Sequence, residues 1–389
     1  MLFSFAGGSG HFEPLVPIAQ SCVAAGHTVA FAGQPPMVPV IEAAGFTAFA
    51  TGGATLSSTP KRLPLLKLDR AREERDLREG FVRRIATERA DAILARCADW
   101  CPDVLVCDET DFGAMVAAER LNLPYATVLV IAAGSFVRQE VVGKALNELR
   151  AAHHLPPDPD LAMLTRYLVL VPVPSSYRDP AFPLPPTAHS IRPRMLDFSH
   201  NNNPPSWSAP VDDRPIVYFT LGTVFNVESG DLFERVLAGL SDLPINVIAT
   251  VGGKLDPSEF GPQPPHIQIA QYIPQAAILP HCTLVVSHGG SGSVIGALSH
   301  GCPMVLLPIG ADQPWNADRC ADLGVACVLN AIEATPTSIR EVVVTVMSNP
   351  DYQSAANHLR DEIASLPDPE YAVQLLERLV VEKQPIVST

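Results

Sequence analysis

Ser287-His288-Gly289-Gly290-Ser291-Gly292-Ser293 is the passage of this 389-residue chain whose residue types point most directly to chemistry. The apolar run Leu284–Val286 leads into it, and Val294–His300 continues it with helix-forming residues up to Gly301. A strand that enters a glycine-rich turn and then opens a helix presents unpaired amide N–H groups at the positive end of the helix dipole. Its glycines, Gly290 and Gly292 among them, let the backbone approach an anion closely, Ser293 adds a hydroxyl donor, and His288 at the mouth can donate to a phosphate oxygen. Taken alone, the same letters also fit an ordinary glycine-rich turn with a cap. After Met304–Pro308 the chain reads Ile309-Gly310-Ala311-Asp312-Gln313-Pro314-Trp315-Asn316. The carboxylate of Asp312 and the amide of Gln313 suit adjacent sugar hydroxyls, which both accept and donate. Upstream, Gln271-Tyr272-Ile273-Pro274-Gln275 places an aromatic after a strand, available to stack on a nucleobase,.

A second constellation lies near the start. Gly7-Gly8-Ser9-Gly10-His11-Phe12-Glu13-Pro14 sits at a strand-to-helix turn, where the helix end favours a neutral His11 at working pH,. Asp103-Val104-Leu105-Val106-Cys107-Asp108 ends another strand with a carboxylate. Ends of parallel strands share one sheet edge, so Asp108 can accept from the far ring nitrogen of His11, fix its tautomer and stabilise the imidazolium. A loop histidine by itself is more often structural.

At these places the sequence resembles the nucleotide-sugar-dependent small-molecule glycosyltransferases of the GT-B fold, the plant enzymes and the actinobacterial ones that decorate antibiotics. The resemblance spans essentially the whole chain, and Tyr272–Asn316 is similar to that family's donor-binding signature. It implies that Tyr272 stacks the base, that His288 and Ser293 hold the diphosphate, and that Asp312 and Gln313 grip the sugar. Gln275 and Gly290-Ser291-Gly292 fall within the same donor-binding set. Thr220-Leu221-Gly222-Thr223 resembles the family's first C-domain loop and brings Thr223 near the phosphates. His11 and Asp108 match the catalytic pair. The chain departs from the family twice, with Tyr272 where Trp is frequent and Gly296 where plant members carry a ribose-binding Glu.

The elements that must position these residues alternate as βαβ units. Leu2–Ala6, His27–Ala32, Val104–Cys107 and Tyr125–Ile131 read as strands of a first half, with helices over Phe12–Ala25 and about Gly113–Leu121,. From Pro172 to Pro215 the texture is Pro-rich and reads as a linker with at most one strand embedded. Ile216–Leu221, Ile245–Val251, Ile267–Ala270, Thr283–Ser287 and Met304–Pro308 are the strands of a second half, and Pro369–Glu382 is an amphipathic helix. The expected architecture is α/β, two doubly wound, Rossmann-like domains facing an interdomain cleft. Residues 1–198 form an acceptor domain, 199–215 the linker proper and 216–366 the donor domain. The resemblance implies that a helix in 367–389 returns to the first domain.

Weaker patterns lie beside these. Gly8-Ser9-Gly10-His11-Phe12-Glu13 lacks the third glycine of a dinucleotide fingerprint. Ser9 and Ser291 miss the nucleophile-elbow pattern. Asp158-Pro159-Asp160 has the form of a metal-binding DxD but lies among prolines and reads as a cap or turn. His153-His154 has no third ligand by spacing. The segment Lys61–Arg96 reads as a mixed-sign, solvated helix, and within Leu56–Ala95 the helically spaced Leu77, Phe81 and Ile85 either wall an apolar pocket over His11 or pack on their own domain. A net charge of −14 argues against nucleic acid,. No apolar run is long enough for a membrane helix, the first residues read as a strand rather than a leader, and the eight cysteines form no CxxC pair,. These features predict a soluble cytoplasmic protein, compatible with a homodimer. The expected activity is a metal-independent, cofactor-free inverting transfer of sugar from dTDP or UDP to a small hydroxylated acceptor, aromatic or polyketide-like. The rival readings are a nucleotide-sugar epimerase on the same fold, and a silent nucleotide-sugar-binding relative that activates a partner.

Overall fold

The structure is a computed structural model that describes residues 1–52, 62–195 and 212–388. These residues form two compact units, one of residues 1–52, 71–194 and 365–388, the other of 62–70, 195 and 212–364.

The first unit is built on seven parallel strands: β1 (Leu2–Ser4), β2 (Ala30–Gly33), β3 (Thr47–Ala50), β4 (Leu105–Asp108), β5 (Tyr125–Val128), β6 (Leu168–Val171) and β7 (Ala188–Ser190). Their order is β3-β2-β1-β4-β5-β6-β7. Short continuous apolar runs become central strands because helices cover both faces of a parallel sheet. Phe3, Phe5, Phe12 and Phe31 fill one such face and are fully buried. The order reverses between β1 and β4, where Ser4 pairs in register with Cys107. Open α/β sheets bind ligands beyond the strand ends at such a switch point. The loop from β1 carries Gly7–His11, and β4 ends in Asp108.

Three sequence readings need correction in this unit. The linker does not begin at Pro172: residues 172–194 stay with the first unit and carry the one embedded strand, β7, while β6 ends against Pro172. Among the described residues the helix expected over Lys61–Arg96 begins only at Arg70, runs Arg70–Asp76, continues as a π-helix over Leu77–Ile85, and returns to α over Ala86–Trp100. Its Arg89 is not solvated. The guanidinium is fully buried, 2.6 Å from Asp111 Oδ2, and also donates to Ser4 Oγ and Thr51 Oγ1. Every strong donor there meets an acceptor, which is what makes a buried ion pair tolerable. The terminal helix Glu370–Glu382 also belongs to this unit, with Glu377 2.9 Å from His27.

The second unit has six parallel strands: β8 (Ile216–Thr220), β9 (Asn246–Thr250), β10 (Ile267–Ala270), β11 (Cys282–Ser287), β12 (Met304–Leu306) and β13 (Ala326–Val328). Their order is β10-β9-β8-β11-β12-β13, so the switch point lies between β8 and β11. Thr220 pairs in register with Ser287, which brings the loops after both strands together. Val217, Phe219, Phe233, Val247, Leu284 and Val305 are among the buried residues of its core. Residues 62–70 pack on this unit although the sequence around them belongs to the other. Leu63 N donates to Val227 O at 2.6 Å, Gly230 N donates to Leu63 O at 3.0 Å, and Leu65 packs against the core. Arg70 lies 5.1 Å over the Trp315 ring.

Candidate active site

In the first unit, His11 is the third residue of the helical turn Ser9–Phe12 that follows β1. Its ring occupies space that only a glycine leaves open. A Cβ on Gly7 would stand 2.4 Å from His11 Cδ2, and the positive φ of Gly7 suits no side chain there,. Phe81, from the π-helix, stacks on the imidazole with centroids 5.8 Å apart and planes 29° from parallel. Asp108 is fully buried beside it. Its Oδ2 accepts from Ala6 N at 2.7 Å, and its Oδ1 accepts from Thr110 N at 2.5 Å and Thr110 Oγ1 at 2.6 Å. Burial pushes this carboxyl up, but the neighbouring His11 and the bonds from Thr110 and Ala6 outweigh it and hold it below the usual carboxylate range,. Asp108 is therefore an ionised acceptor. The structure brings His11 and Asp108 side by side, yet Nδ1 to Oδ2 is 3.6 Å, too long for a hydrogen bond,. Thr110 Oγ1 instead lies 3.1 Å from His11 Nδ1. Sequence reasoning passed over Thr110. The only signal was a hydroxyl two residues beyond a strand-ending aspartate.

Adjacent Glu109 was missed as well. It is buried, accepts from Val130 N and Ile131 N at 2.6 and 2.5 Å, and burial pushes its carboxyl up to about 7. Asp158 is committed elsewhere. Its carboxylate accepts from Ala162 N and Met163 N, so it serves as a cap rather than an open metal ligand,.

In the second unit the loop after β8 carries Gly222 and exposed Thr223, and the loop after β11 carries His288–Gly290. The helix Ser291–Ser299 starts there, with Gly290 at its cap, and its first internal bond runs from Val294 N to Gly290 O. The amides of residues 291–293 precede that bond and are not consumed by the helix. The His288 ring sits between bare backbones: a Cβ on Gly222 or Gly290 would stand 2.7 or 2.6 Å from its Nε2. Its Nδ1 has no hydrogen-bond partner among the described residues, and burial lowers the ring to about 4. His288 is thus a neutral donor near pH 7. Gln275 Nε2 reaches Ser293 Oγ at 3.4 Å.

Asp312 and Gln313 stand beside this cradle. Asp312 Oδ2 accepts from Ser291 Oγ at 2.7 Å and from Asn316 Nδ2 at 2.8 Å. Asn316, fully buried, also donates to Gly289 O, so one amide ties the glycine turn to the acidic residue. Ala311, just before, has φ of 51°, a left-handed conformation that costs a non-glycine residue on the order of 1–2 kcal/mol,. Gln313 is almost fully buried, and its carbonyl is taken by Ile309 N and Gly310 N, which leaves its amide nitrogen as the group able to reach a ligand. Tyr272 follows β10 and is 47% exposed. Gly296 lies inside the helix, where an added Cβ would stand 3.1 Å from both Leu279 Cδ1 and Met195 Cε. A glutamate there would have to displace that packing.

A family model described as the C-terminal domain of erythromycin biosynthesis protein CIII-like proteins matches residues 234–379. The chain is 28% identical to the 10-deoxymethynolide desosaminyltransferase of Streptomyces venezuelae, over 98% of this chain and 97% of that protein. It is 27% identical to the 4'-demethylrebeccamycin synthase of Lentzea aerocolonigenes, over 98% and 99%. Its fold is similar to that of the calicheamicin glycosyltransferase, with a TM-score of 0.79 and 23% identity over 99% of each chain. With doubly wound sheets in both units and an anion cradle at the second switch point, the chain resembles, over almost its whole length, the nucleotide-sugar-dependent natural-product glycosyltransferases of the GT-B fold.

Proposed function

We propose that this glycosyltransferase moves a sugar, with inversion, from a dTDP- or UDP-sugar to a hydroxyl of an aromatic or polyketide-like natural product, using no metal and no bound cofactor. The observation that carries the reading is the placement of chemistry at both switch points. His11 with Asp108 stands at the first, and the amide cradle with His288 at the second. Relatives named for desosamine and mycarose transfer support a nucleotide-sugar donor, and a similar spinosyn rhamnosyltransferase was solved with thymidine diphosphate.

In the proposed step, His11 Nε2 takes the proton of the acceptor hydroxyl as the new C–O bond forms at the anomeric carbon. The bond from that carbon to the phosphate oxygen breaks, and the diphosphate leaves with the electron pair. Amides 291–293, the Ser293 and Thr223 hydroxyls and the His288 Nε2–H stabilise its charge without reorganising. Tyr272 stacks on the base, and Asp312 and Gln313 hold the sugar. The eight free cysteines, most of them buried, fit work in a reducing cytoplasm,.

A screen of dTDP- and UDP-sugars against phenolic and polyketide-like acceptors by mass spectrometry, run in excess EDTA, should yield a glycoside. His11→Ala should then lower turnover roughly 10²–10⁴-fold, while leaving dTDP or UDP affinity within about twofold, because the nucleotide residues belong to the other unit. Near-normal turnover of His11→Ala on an alkyl alcohol would sink the base assignment. Activity lost in EDTA and restored by magnesium would sink the metal-free one.

A further inference from the structure

The protons around His11 can be counted. Asp108 is ionised and fully buried, so both of its oxygens only accept,. Thr110 has one hydroxyl proton and three candidate acceptors, Asp108 Oδ1 at 2.6 Å, His11 Nδ1 at 3.1 Å and Ala6 O at 3.4 Å. The shortest, charge-assisted bond takes it. The lone pairs of Thr110 Oγ1 are then what faces His11 Nδ1 at 3.1 Å, so Nδ1 must carry the hydrogen in that contact. The direct alternative, Nδ1 to Asp108 Oδ2, is 3.6 Å long, and that oxygen is already held by Ala6 N. Phe81 and the bare Gly7 backbone further limit how far the ring can turn.

We propose that Thr110 is a positioning residue that relays the Asp108 carboxylate to the His11 imidazole and selects its Nδ1–H tautomer. The inference rests on the reading of His11 as the base, because that tautomer is the one that leaves an Nε2 lone pair for the acceptor proton. When Nε2 takes that proton, the imidazolium keeps its Nδ1–H on Thr110 Oγ1, whose own proton stays on Asp108. The carboxylate compensates the new charge through the hydroxyl, and no further proton moves.

Long-range proton–nitrogen spectra of the protein, labelled with ¹⁵N in its histidine rings, test this without any ligand. The His11 signals are assigned by their loss in His11→Ala. In the native protein Nδ1 should be the protonated nitrogen of the neutral ring. Thr110→Ser should keep that pattern, and Thr110→Val, of nearly the same shape, should lose it to a mixture of tautomers. An unchanged pattern in Thr110→Val overturns the relay.

Turnover on an acceptor from the screen gives the second measurement. Thr110→Val should lower kcat about 10–100-fold, the scale seen when a partner orienting a functional histidine is removed. The donor KM should stay within about twofold, and Thr110→Ser should return kcat to within about threefold of native. In the His11→Ala background, Thr110→Val should cost nothing more; losses that multiply would mean a structural role and overturn the proposal. Should His11→Ala itself keep its turnover, the base reading fails, while the tautomer spectrum still decides whether Thr110 sets the ring.

Discussion

His288 is held in a slot whose walls are the backbones of Gly222 and Gly290, and nothing described in that slot offers its Nδ1 a partner. Protonating the ring there would bury a charge, which is why burial lowers it from an ordinary 6.5 to about 4,. The sign of the consequence for stability follows from proton counting. Between about pH 6.5 and 4 the unfolded chain binds a proton that the folded one refuses, so folding weakens as pH falls through that window. The full penalty, present below about pH 4, is on the order of 3 kcal/mol. His288→Gln has no ring to titrate. Urea unfolding of both proteins from pH 4 to 7 should therefore show native stability gaining on the variant as pH rises, whatever their offset at one pH. Parallel curves would mean that the ring is hydrated. This residue was legible in sequence because a histidine before a glycine-rich turn has few uses. Thr110 and Arg89 were not, because their partners, His11 at 99 residues' separation and Asp111 at 22, are set by strand order. A hydroxyl or a guanidinium gives no local sign that it is buried.

The helix Ser291–Ser299 and its entry turn work as one piece, because the same glycines that shape the backbone also make room for the ring. Gly290 has φ of −63°, which alanine adopts freely, so Gly290→Ala tests the space alone,. Its Cβ would stand 2.6 Å from His288 Nε2, inside a buried slot with little freedom to yield. Forcing such a ring aside costs on the order of 1–3 kcal/mol of folding stability, and losing its hydrogen bond to a charged phosphate costs about 1.5–3 kcal/mol of binding, or roughly 10–150-fold in affinity. Calorimetric titration with dTDP and UDP should show that loss, and the melting temperature should fall by a few degrees or more beside it. An unchanged affinity would remove His288 from the diphosphate site. Such strand–glycine–helix units were legible because apolar runs of four to six residues punctuated by glycine have one economical reading. β6 and β7 were less so. Leu168–Val171 abuts Pro172 and Pro174, and Ala188–Ser190 is a three-residue edge strand with His189 in its middle. Prolines mark where a ladder stops, but they do not say which of the residues between them join it. The π-helical turns over Leu77–Ile85 had no sequence signature either, since the i, i+4 spacing of Leu77, Phe81 and Ile85 reads as α,.

At the scale of the whole molecule, sequence halves and folded units do not coincide. The backbone leaves the second unit between Arg70 and Ala71, returns to it after Arg194, and leaves it again after Ala364. Residues 62–70 are the part that composition could not place, because their partners lie roughly 160–250 positions away. Arg62 pairs with Glu234 at 2.5 Å and lies 4.9 Å over Phe260, and Arg70 pairs with Asp318 at 2.5 Å and donates to Pro314 O at 3.3 Å. Gly230, at φ of 50°, leaves the space in which Leu65 N sits, since a Cβ there would stand 2.9 Å from it. Pro314 and Asp318 belong to the helix Gln313–Asp322, whose start carries the proposed sugar grip. A nucleotide that binds the folded second unit stabilises it by RT ln(1 + [L]/Kd), about 2.7 kcal/mol at a hundredfold excess over Kd. Amides that open only when that unit opens should slow together. Hydrogen exchange with and without dTDP or UDP should therefore show slower exchange at β8, β9 and β11 and, with them, at Leu63, whose N–H is held by Val227 O. The helix Ala86–Trp100, only sixteen residues beyond Arg70 in sequence but in the other unit, should not follow. Arg70→Ala should loosen residues 62–70 from the second unit and reduce the slowing at Leu63 while leaving that at β8 and β11 in place. If Leu63 exchanges at the same rate with and without nucleotide while β8 and β11 slow, residues 62–70 do not open with the second unit, and their assignment to it fails.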